Sequence, residues 1–333
     1  MNILVTGGAG FIGRWVVKNL LDKGESVVVV DNLSNGDMKN IEEFKENTNF
    51  KFIMGDINNE NDLERVFKER FDIIYHLAAS INVQDSIDDP KTTFYNDTVG
   101  TFKILEKAKE QMFGKNSRMD GDKWILDEKE EIYPCKIVFM STCMVYDKCN
   151  DEKGITELHP TKPVSPYGGS KVAAENMILS YYYAYKLPTV VIRPFNTYGP
   201  YQKTGGEGGV VAIFIKNALR DKDIYIYGSG DQTRDLLYVK DCAEFIIMAG
   251  LNENTNGQII NAGTGKDVTI NELAIIINND RVNINHTRHI HPQSEIKKLL
   301  CDYNKAKEIL GWFPKYTLEQ GIRETEAWIK NTL

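Results

Sequence analysis

The sequence predicts an α/β protein in which a doubly wound parallel sheet carries a smaller C-terminal lobe. Three observations lead to this fold class. Strand and helix patterns alternate through residues 1–193, a glycine-rich turn joins the first strand to the first helix, and the alternation stops after Arg193. Such alternation implies right-handed crossovers and helices on both faces of the sheet. We therefore assign residues 1–193 to the sheet domain and residues 194–333 mainly to the lobe, with some chain returning to the main sheet.

The elements of the first half follow from local patterns. The short apolar run Asn2–Thr6 predicts a strand, and apolar residues at helical spacing predict a helix over Phe11–Asp22. Glu25–Asp31 contains a β-branched run typical of a strand that is buried on both faces of a parallel sheet. Further strands are predicted at Lys51–Met54, Phe71–His76, Lys136–Met140 and Thr189–Arg193, and helices at Glu60–Arg70, Pro90–Gln111 and Pro166–Lys186.

The second half has a different texture. Asn196–Gly209 contains five glycines and no periodicity, which predicts a long functional loop and no regular element. Beyond it we expect a helix at Val210–Arg220, a strand at Ile224–Tyr227, and helices at Asp241–Leu251 and Leu318–Lys330. This part has too little apolar sequence to fold alone, so we expect a lobe packed on the main sheet.

Composition excludes several classes of protein. The chain has 333 residues and a net charge of −7, with 42% hydrophobic and 26% charged residues, which is ordinary for a globular protein. Its longest apolar runs, such as Val27–Val30, are far shorter than a membrane span requires, and its start does not resemble a signal peptide. An acidic balance without blocks of Lys or Arg argues against a nucleic-acid surface. We therefore expect neither a membrane nor a nucleic acid as a partner.

Five cysteines form an odd set without a C-x-x-C pair. A disulfide framework is not expected in a chain of this length, and a reducing cytoplasm fits better. Cys135, Cys143 and Cys149 cluster in the sequence, yet no histidine lies at ligand spacing nearby. We interpret the three as small apolar side chains and expect no metal site.

The segment 114–134 is polar and charged, although a few residues would suffice to join the flanking helix and strand. It is either a flap or a solvated surface insertion, and the second reading is favoured.

A glycine motif follows the first strand and opens the first helix. Gly7, Gly10 and Gly13 have the spacing G-x-x-G-x-x-G. In a Rossmann-type fold the first glycine permits the tight turn, the second lets the backbone approach a pyrophosphate, and the third allows close packing of helix and strand. The helix N-terminus then offers amide donors and a partial positive charge to the phosphates. The motif predicts a dinucleotide site.

Asp31 ends the second strand, where a carboxylate accepts hydrogen bonds from the adenosine ribose. Its charge repels a 2′-phosphate, so NAD is favoured over NADP. Arg14, just past the glycines, is the one residue that argues for NADP.

Tyr167 and Lys171 lie four residues apart at the start of a helix and share one face of it. An ammonium near a phenol lowers the phenol's pKa, and the phenolate can then take a proton from a substrate hydroxyl. Ser141 and Thr142 follow the strand Lys136–Met140 at its carboxyl end, where doubly wound sheets place their sites. Their hydroxyls are candidates to share that proton.

Taken together, these motifs resemble the extended short-chain dehydrogenase/reductases that act on nucleotide sugars. The matching stretches run in family order over nearly the whole chain. They are Thr6–Gly13, Asp31–Ser34, Gly55–Ile57, His76–Ala79, Asn96–Thr101, Ser141–Tyr146, Tyr167-x-x-x-Lys171, Arg193–Pro200 and Thr233–Asp235.

The resemblance implies roles for individual residues. Thr142, Tyr167 and Lys171 would be the catalytic triad of an NAD-binding domain. Asp56 and Ile57 would contact adenine, and Ala78 and Ala79 would line the cofactor. The remaining cofactor-binding residues would be Gly7, Gly10, Phe11, Ile12, Gly13, Asp31, Asn32, Leu77, Tyr167 and Lys171. In the substrate-binding lobe, Asn196 and Arg234 would hold the diphosphate of a UDP-linked sugar. The alternatives are a loop-ordering role for Asn196 and an ion pair of Arg234 with Asp235.

The resemblance also implies transient oxidation at C4 of the sugar by tightly held NAD. In the 4,6-dehydratases of this family an acid/base pair follows the catalytic Thr, whereas here Cys143 and Met144 follow it. A thioether takes no proton and a thiol is a poor acid, so a UDP-sugar 4-epimerase is the favoured outcome.

The segment Pro292–Asp302 nevertheless resembles amino-sugar 4,6-dehydratases. A UDP-N-acetylglucosamine-like 4,6-dehydratase that uses Cys143, or the loop carboxylate of Glu207, is therefore the alternative. His291 stands where many relatives have an arginine that grips the diphosphate, and Glu295 is a further candidate contact of the substrate.

Two further expectations concern assembly and class. Relatives commonly dimerise through two helices per subunit, which predicts a homodimer through Pro90–Gln111 and Pro166–Lys186. A non-catalytic NAD-binding scaffold remains as a hypothesis from another class.

Overall fold

The first half of the chain alternates strands and helices. The computed structural model describes residues 1–121, 123–125, 132–149, 152–205, 209–289 and 292–333. The strands of this half are β1 (Asn2–Thr6), β2 (Ser26–Asp31), β3 (Phe50–Met54), β4 (Ile73–His76), β5 (Arg118–Asp120), β6 (Lys123–Ile125), β7 (Lys136–Met140) and β8 (Thr189–Pro194). Its helices are α1 (Phe11–Asp22), α2 (Glu60–Val66), α3 (Val83–Asp88), α4 (Pro90–Phe94), α5 (Gly100–Phe113) and α6 (Pro166–Tyr185).

The second half adds short strands and five helices among the described residues. The strands are β9 (Asn196–Tyr198), β10 (Ile224–Tyr227), β11 (Thr233–Tyr238), β12 (Gln258–Ala262), β13 (Asp267–Thr269), β14 (Ile284–Thr287) and β15 (Lys298–Leu299). The helices are α7 (Val210–Leu219), α8 (Val239–Leu251), α9 (Ile270–Asn278), α10 (Asn304–Leu310) and α11 (Leu318–Thr332). The sequence patterns predicted α7, β10, α8 and α11, whereas they gave no signal for β11, β12, α9 and α10.

Seven parallel strands form the main sheet in the order β12-β8-β7-β4-β1-β2-β3. This confirms the predicted doubly wound fold. The strand order reverses at β1, which has β2 on one side and β4 on the other. A doubly wound sheet opens a crevice at the carboxyl ends of the strands at such a point, and ligands bind there.

Helices cover both faces of this sheet. Ile3 and Val5 of β1 pack into the cluster that contains α1, α7 and α8, whereas Leu4 packs into the cluster on the other face with α2, α5 and α6. A strand buried on both faces needs a continuous apolar run, which explains the pattern in β1 and β2. None of the described helices combines the length and the apolar character needed to cross a membrane.

The rest of the second half builds small sheets at the carboxyl ends of the main strands. β11 pairs with β9, β13 and β15, and β10 pairs with β14. β12 instead joins the edge of the main sheet beside β8. The division of the chain at residue 193 stays a prediction.

Two sequence predictions need correction. Asn196–Gly209 begins with β9, which pairs with Leu236–Tyr238 far along the chain, so local sequence carried no signal for it. The helix expected at Pro90–Gln111 is divided by a π-helical turn at Tyr95–Val99, a distortion frequent at functional sites.

The polar segment 114–134 contains an antiparallel hairpin of β5 and β6. Its residues 122 and 126–131 lie outside the described part of the chain. Whether the segment acts as a flap stays a prediction.

Candidate active site

A cleft opens at the carboxyl ends of β1, β2, β4 and β7, on the crevice side of the sheet. It brings together every residue predicted to bind the cofactor. These are Gly7, Gly10, Phe11, Ile12, Gly13, Asp31, Asn32, Asp56, Ile57, Leu77, Ala78, Ala79, Tyr167 and Lys171. Their roles as ligand contacts stay predictions.

The glycine turn is built so that side chains would not fit. Gly7 has a φ of +71°, and a Cβ on it would lie 2.7 Å from the Ala78 nitrogen. A Cβ on Gly13 would overlap the Gly7 carbonyl oxygen, whereas one on Gly10 would meet only that oxygen, at 3.1 Å. Gly7 and Gly13 are thus required by the backbone itself, and Gly10 leaves the surface of the cleft open. No side chain caps the N-terminus of α1, which leaves it free for an anion.

Asp31 lies at the end of β2 with its carboxylate nearly buried. Its Oδ2 accepts a hydrogen bond from the Ala9 nitrogen at 3.0 Å, and its Oδ1 accepts one from the Leu33 nitrogen at 2.8 Å. Burial raises the pKa of Asp31, and the two backbone donors oppose that rise. The carboxylate is therefore fixed in orientation, with lone pairs left for a ribose diol.

Arg14 is buried against aromatic rings. Its guanidinium lies 3.9 Å from the centroid of the Tyr201 ring and 4.6 Å from that of Trp15, forms an ion pair with Glu43, and donates to the Asn40 carbonyl at 3.1 Å. It does not line the cleft. A guanidinium held in this way is not available to a 2′-phosphate, so the sequence feature that argued for NADP has a structural explanation instead.

The predicted catalytic residues meet where β7 ends and α6 begins. The Ser165 hydroxyl caps α6 by accepting from the Gly168 nitrogen, which orients the first turn that carries Tyr167. The Thr142 hydroxyl lies close enough to the Tyr167 phenol to lower its pKa. Lys171 donates from Nζ to the Met140 carbonyl oxygen at 3.0 Å.

The surroundings of Tyr167 shift the pKa of its phenol. Burial raises the pKa of Tyr167, the charge of Asp97 raises it further, and the hydrogen bond from Thr142 lowers it. Burial also lowers the pKa of Lys171, and Asp97 and Glu175 oppose that effect.

Cys143 and Met144 form a tight 3₁₀ turn directly after Thr142. The Thr142 hydroxyl accepts from the Met144 nitrogen at 3.2 Å and so fixes this turn. Burial raises the pKa of the Cys143 thiol to about 12, although the charge of Arg234 opposes this. Cys143 is therefore an un-ionised thiol directly after Thr142, one of the predicted catalytic residues.

Three of the predicted substrate residues are described, and Asn196, Arg234 and Glu295 all lie outside the cofactor cleft. Arg234 donates from Nη1 to the carbonyl oxygens of Thr233 and Ile296, each at 2.8 Å, and it faces Cys143 and Glu295. It forms no ion pair with Asp235, whose carboxylate accepts from the Thr264, Gly265 and Cys301 nitrogens instead.

Asn196 begins β9, and its Oδ1 is buried without a hydrogen-bond partner. Glu295 lies 3.6 Å from His289. His291 and Glu207 fall outside the described residues.

Sequence reasoning missed a polar network along one wall of the cleft. Asn58 donates to Asn96 Oδ1 at 3.0 Å, and Asn96 donates to the Ser80 hydroxyl at 2.9 Å. Ser34–Gly36 and Ile81 also line the cleft. Position in the matching stretch Asn96–Thr101 was the only signal for Asn96, since its partners come from distant segments.

These features fit a dinucleotide. The cleft has a glycine cradle that a Cβ on Gly7 would fill and a fixed carboxylate at Asp31. The Ser141 hydroxyl, which lines the cleft beside Tyr167, is buried without a hydrogen-bond partner. A buried polar group of this kind is expected to find its partner in a ligand.

Known proteins resemble the whole chain. Residues 4–325 match the family model described as GDP-mannose 4,6 dehydratase. The chain is 33% identical over 336 residues to the UDP-glucose 4-epimerase of Mycolicibacterium smegmatis, covering 99% of both chains.

Solved structures agree with this match. Pal from Bacillus thuringiensis is 58% identical, with a TM-score of 0.92 and full coverage of both chains. The dTDP-glucose 4,6-dehydratase of Bacillus anthracis, solved in complex with NAD, is 29% identical with a TM-score of 0.82, and the match covers 99% of this chain and 97% of that one.

Proposed function

Because the chain belongs to the GDP-mannose 4,6 dehydratase family, we propose that it converts a UDP-linked sugar through a 4-keto intermediate and that its net reaction is epimerisation at C4. The chain is an enzyme of the nucleotide-sugar epimerase and dehydratase class, and the resemblance to the extended short-chain dehydrogenase/reductases is confirmed. The hypothesis of a non-catalytic scaffold is therefore set aside. The name of the M. smegmatis relative supports UDP as the nucleotide.

The cleft residues support NAD as the cofactor. Gly7, Gly10 and the N-terminus of α1 would hold the pyrophosphate, and Asp31 would hold the adenosine ribose. Asp56 and Ile57 would contact adenine, on the side of the cleft away from Tyr167. When bound there, NAD would supply a reversible hydride acceptor for C4 of the sugar.

The chain's own residues would handle the proton at the C4 oxygen. Tyr167 would take that proton, with the Thr142 hydroxyl bonded to its phenol oxygen. The buried ammonium of Lys171 supplies a positive charge on the same face of α6, and Arg234 and Asn196 would hold the diphosphate. In the reverse half-reaction Tyr167 would return the proton to the keto oxygen.

One observation carries the choice of epimerisation. The turn after Thr142 holds a buried thiol and a thioether in place of an acid/base pair. The thiol is un-ionised, because burial raises its pKa to about 12. The buried carboxylate of Asp235 is committed to backbone nitrogens, so it is not free to act on the sugar. A 4-epimerase needs no such pair.

The same thiol favours a second candidate, a 4,6-dehydratase. Cys143 is protonated and faces the Arg234 guanidinium, so it holds a proton near the expected substrate. In that reaction the C6 hydroxyl leaves as water with the thiol proton, the hydrogen removed from C4 arrives at C6, and C5 loses its proton and regains one from solvent.

Product masses in deuterated water separate the two reactions. The enzyme is incubated with UDP-glucose and UDP-N-acetylglucosamine in D₂O, and the products are analysed by chromatography and mass spectrometry. A 4-epimerase gives a separable product of unchanged mass, because the hydrogen returns to the carbon that lost it. Loss of one water with uptake of one deuterium would refute epimerisation and support the dehydratase.

Two variants test the roles of the residues. Tyr167→Phe is expected to reduce turnover by about 10²–10⁴-fold, since it removes the acid/base group. Cys143→Ser is expected to leave epimerisation within about threefold of wild type, whereas a Cys143-dependent dehydratase would lose its activity. Cys135→Ser, the same change just before β7 at the other end of that strand, is the matched control.

We also propose a homodimer in the cytoplasm. Phe102 of α5 and Tyr183 of α6 are 42% and 64% exposed, which suits an interface through these two helices. A monomer by light scattering at micromolar concentration would refute the dimer. The five cysteines, all within the described part of the chain, are buried and form no disulfide, as suits a reducing compartment.

A further inference from the structure

Asp97 is a buried carboxylate next to the catalytic helix, in the π-helical turn Tyr95–Val99. Its Oδ1 accepts from the Ser80 nitrogen at 2.7 Å, and its Oδ2 accepts from the Ser170 hydroxyl at 3.0 Å. Ser80 follows the segment Leu77–Ala79 that lines the cleft, and Ser170 directly precedes Lys171. The carboxylate therefore joins the wall of the cofactor cleft to α6.

A second contact joins the same two parts of the structure. The Thr98 hydroxyl in the π-helical turn donates to the Ser170 carbonyl oxygen at 3.1 Å. A π turn places successive side chains differently from an α-helix, and here the turn presents both Asp97 and Thr98 to one residue of α6. The position of Lys171 thus depends on this turn.

The charges around Lys171 leave Asp97 as its main counter-charge. Glu175, one turn along α6, is paired with Arg193 through two hydrogen bonds, so most of its charge is cancelled. His76 on β4 is neutral, because burial lowers its pKa to about 3. The phenol of Tyr167 is un-ionised in the structure described above.

We propose that Asp97 is a positioning residue whose negative charge keeps Lys171 protonated and so sets the pH range in which the enzyme turns over. The inference rests on the proposed function, in which Tyr167 and Lys171 carry the proton chemistry. Asp97 acts through those residues and itself lies behind them, since it does not line the cleft.

The effect of the Asp97 charge on the pKa values of Lys171 and Tyr167 agrees in direction with this proposal. The Asp97 charge raises the pKa of Lys171 and also that of Tyr167. Removing the Asp97 charge therefore lowers the pKa of Lys171 and the pKa of Tyr167. Both limbs of the pH–activity profile, which follow the protonation of the phenol and of the lysine, then move to lower pH.

Asp97→Asn tests this with little change of shape. Asn Oδ1 still accepts from the Ser80 nitrogen, and its amide can donate to the Ser170 hydroxyl, which already donates to the Tyr167 carbonyl. Both limbs of the kcat/KM profile are expected to move to lower pH by about one unit. Limbs that stay at their wild-type positions in a folded variant would overturn the proposal.

Two control variants distinguish charge from packing. Ser170→Ala removes the hydrogen bond and keeps the charge, so activity falls while the limbs stay in place. Asp88→Asn removes a charge from an exposed site on α3, and its profile is expected to match wild type. Movement of the limbs in either control would contradict the assignment to Asp97.

A titration of wild-type enzyme covers the case in which Asp97→Asn does not fold. The ¹³Cε resonance of Lys171, assigned by its absence in Lys171→Met, is followed with pH. We expect a charged lysine at pH 8, and a neutral one would overturn the proposal. This readout needs no turnover, so failure of the UDP-sugar assays would refute the proposed function and leave the Asp97 test intact.

Discussion

His76 predicts a measurable loss of stability in mild acid. It is fully buried at the end of β4, between two hydroxyls: Nδ1 lies 2.7 Å from Thr6 Oγ1 and Nε2 lies 3.0 Å from Thr101 Oγ1. The Thr6 hydroxyl already accepts from the Leu77 and Ala78 nitrogens, so it donates to Nδ1. The Thr101 hydroxyl donates to the Asp97 carbonyl, so it accepts from Nε2. The pattern fits only a neutral ring, because a proton on Nδ1 would leave the Thr6 hydrogen without an acceptor.

The size of the effect follows from the pKa values. Burial lowers the pKa of His76 to about 3, from 6.5 in the unfolded chain. Above pH 6.5 the ring is neutral in the folded and the unfolded chain, so the fold keeps its full stability. As the pH falls toward 3, the unfolded chain binds a proton and the folded one does not, so the free energy of unfolding decreases. Each pH unit below 6.5 lowers the free energy of unfolding by about 1.4 kcal/mol, so at pH 5 the protein is about 2 kcal/mol less stable than at pH 7.

Urea unfolding at pH 7 and pH 5 measures this loss, with His76→Gln as the comparison. Glutamine has one acceptor and one donor for the two hydroxyls and does not titrate. Buried carboxylates with raised pKa values act in the opposite sense, among them Asp235 at about 6, but they are common to both proteins. The variant should therefore lose about 2 kcal/mol less than wild type between the two pH values.

The control is His286→Gln at an exposed position of β14. Equal pH dependence in wild type and His76→Gln would refute the reasoning.

Three further predictions concern the glycine turn, a buried ion pair and cofactor choice. Gly10→Ala is expected to fold normally and to bind NAD at least about tenfold more weakly in a fluorescence titration. Gly13→Ala should lower the free energy of unfolding by about 1–3 kcal/mol, because its Cβ meets backbone atoms. Equal stability of the two variants would contradict this difference. Glu175→Gln leaves Arg193 buried without its counter-charge and should lower the free energy of unfolding in urea by about 3–5 kcal/mol. Replacing both residues by Met should lower it less. A double variant as unstable as the single one would argue against the pairing. Asp31→Asn should lower the ratio of the Kd for NADP to the Kd for NAD by about tenfold. An unchanged ratio would show that Asp31 does not select the cofactor.

The main sheet could be predicted because its signals are local. A strand such as β1 reports its burial on two faces through its own apolar run, and the three glycines mark the turn that follows it. β9 and β12 could not be predicted in this way. Each is defined by a partner far along the chain, Leu236–Tyr238 for β9 and the edge strand β8 for β12. Short strands without alternation take their identity from such pairing.

The candidate site was likewise predictable only in part. The residues predicted to bind the cofactor each lie in a short motif or at a strand end, and the cleft brings them together. The surroundings of those residues were not predicted. The Lys171 ammonium donates to the Met140 carbonyl oxygen, and the Arg14 guanidinium packs on the Tyr201 ring. Both contacts arise from packing between segments that no sequence pattern connects.

Buried charges near α6 differ in what holds them, and this decides which of them take part in proton transfer. Arg193 and Glu175 hold each other through two hydrogen bonds, and each raises the cost of discharging the other. The hydrogen bonds of Lys171 and Asp97 go instead to backbone and hydroxyl groups, which are neutral. A charge held by neutral groups changes its protonation at a smaller cost than one locked in a bidentate pair. The pH response of the cleft is therefore expected to come from Lys171 and Tyr167 under the negative charge of Asp97, and the ion pair behind them to stay ionised throughout.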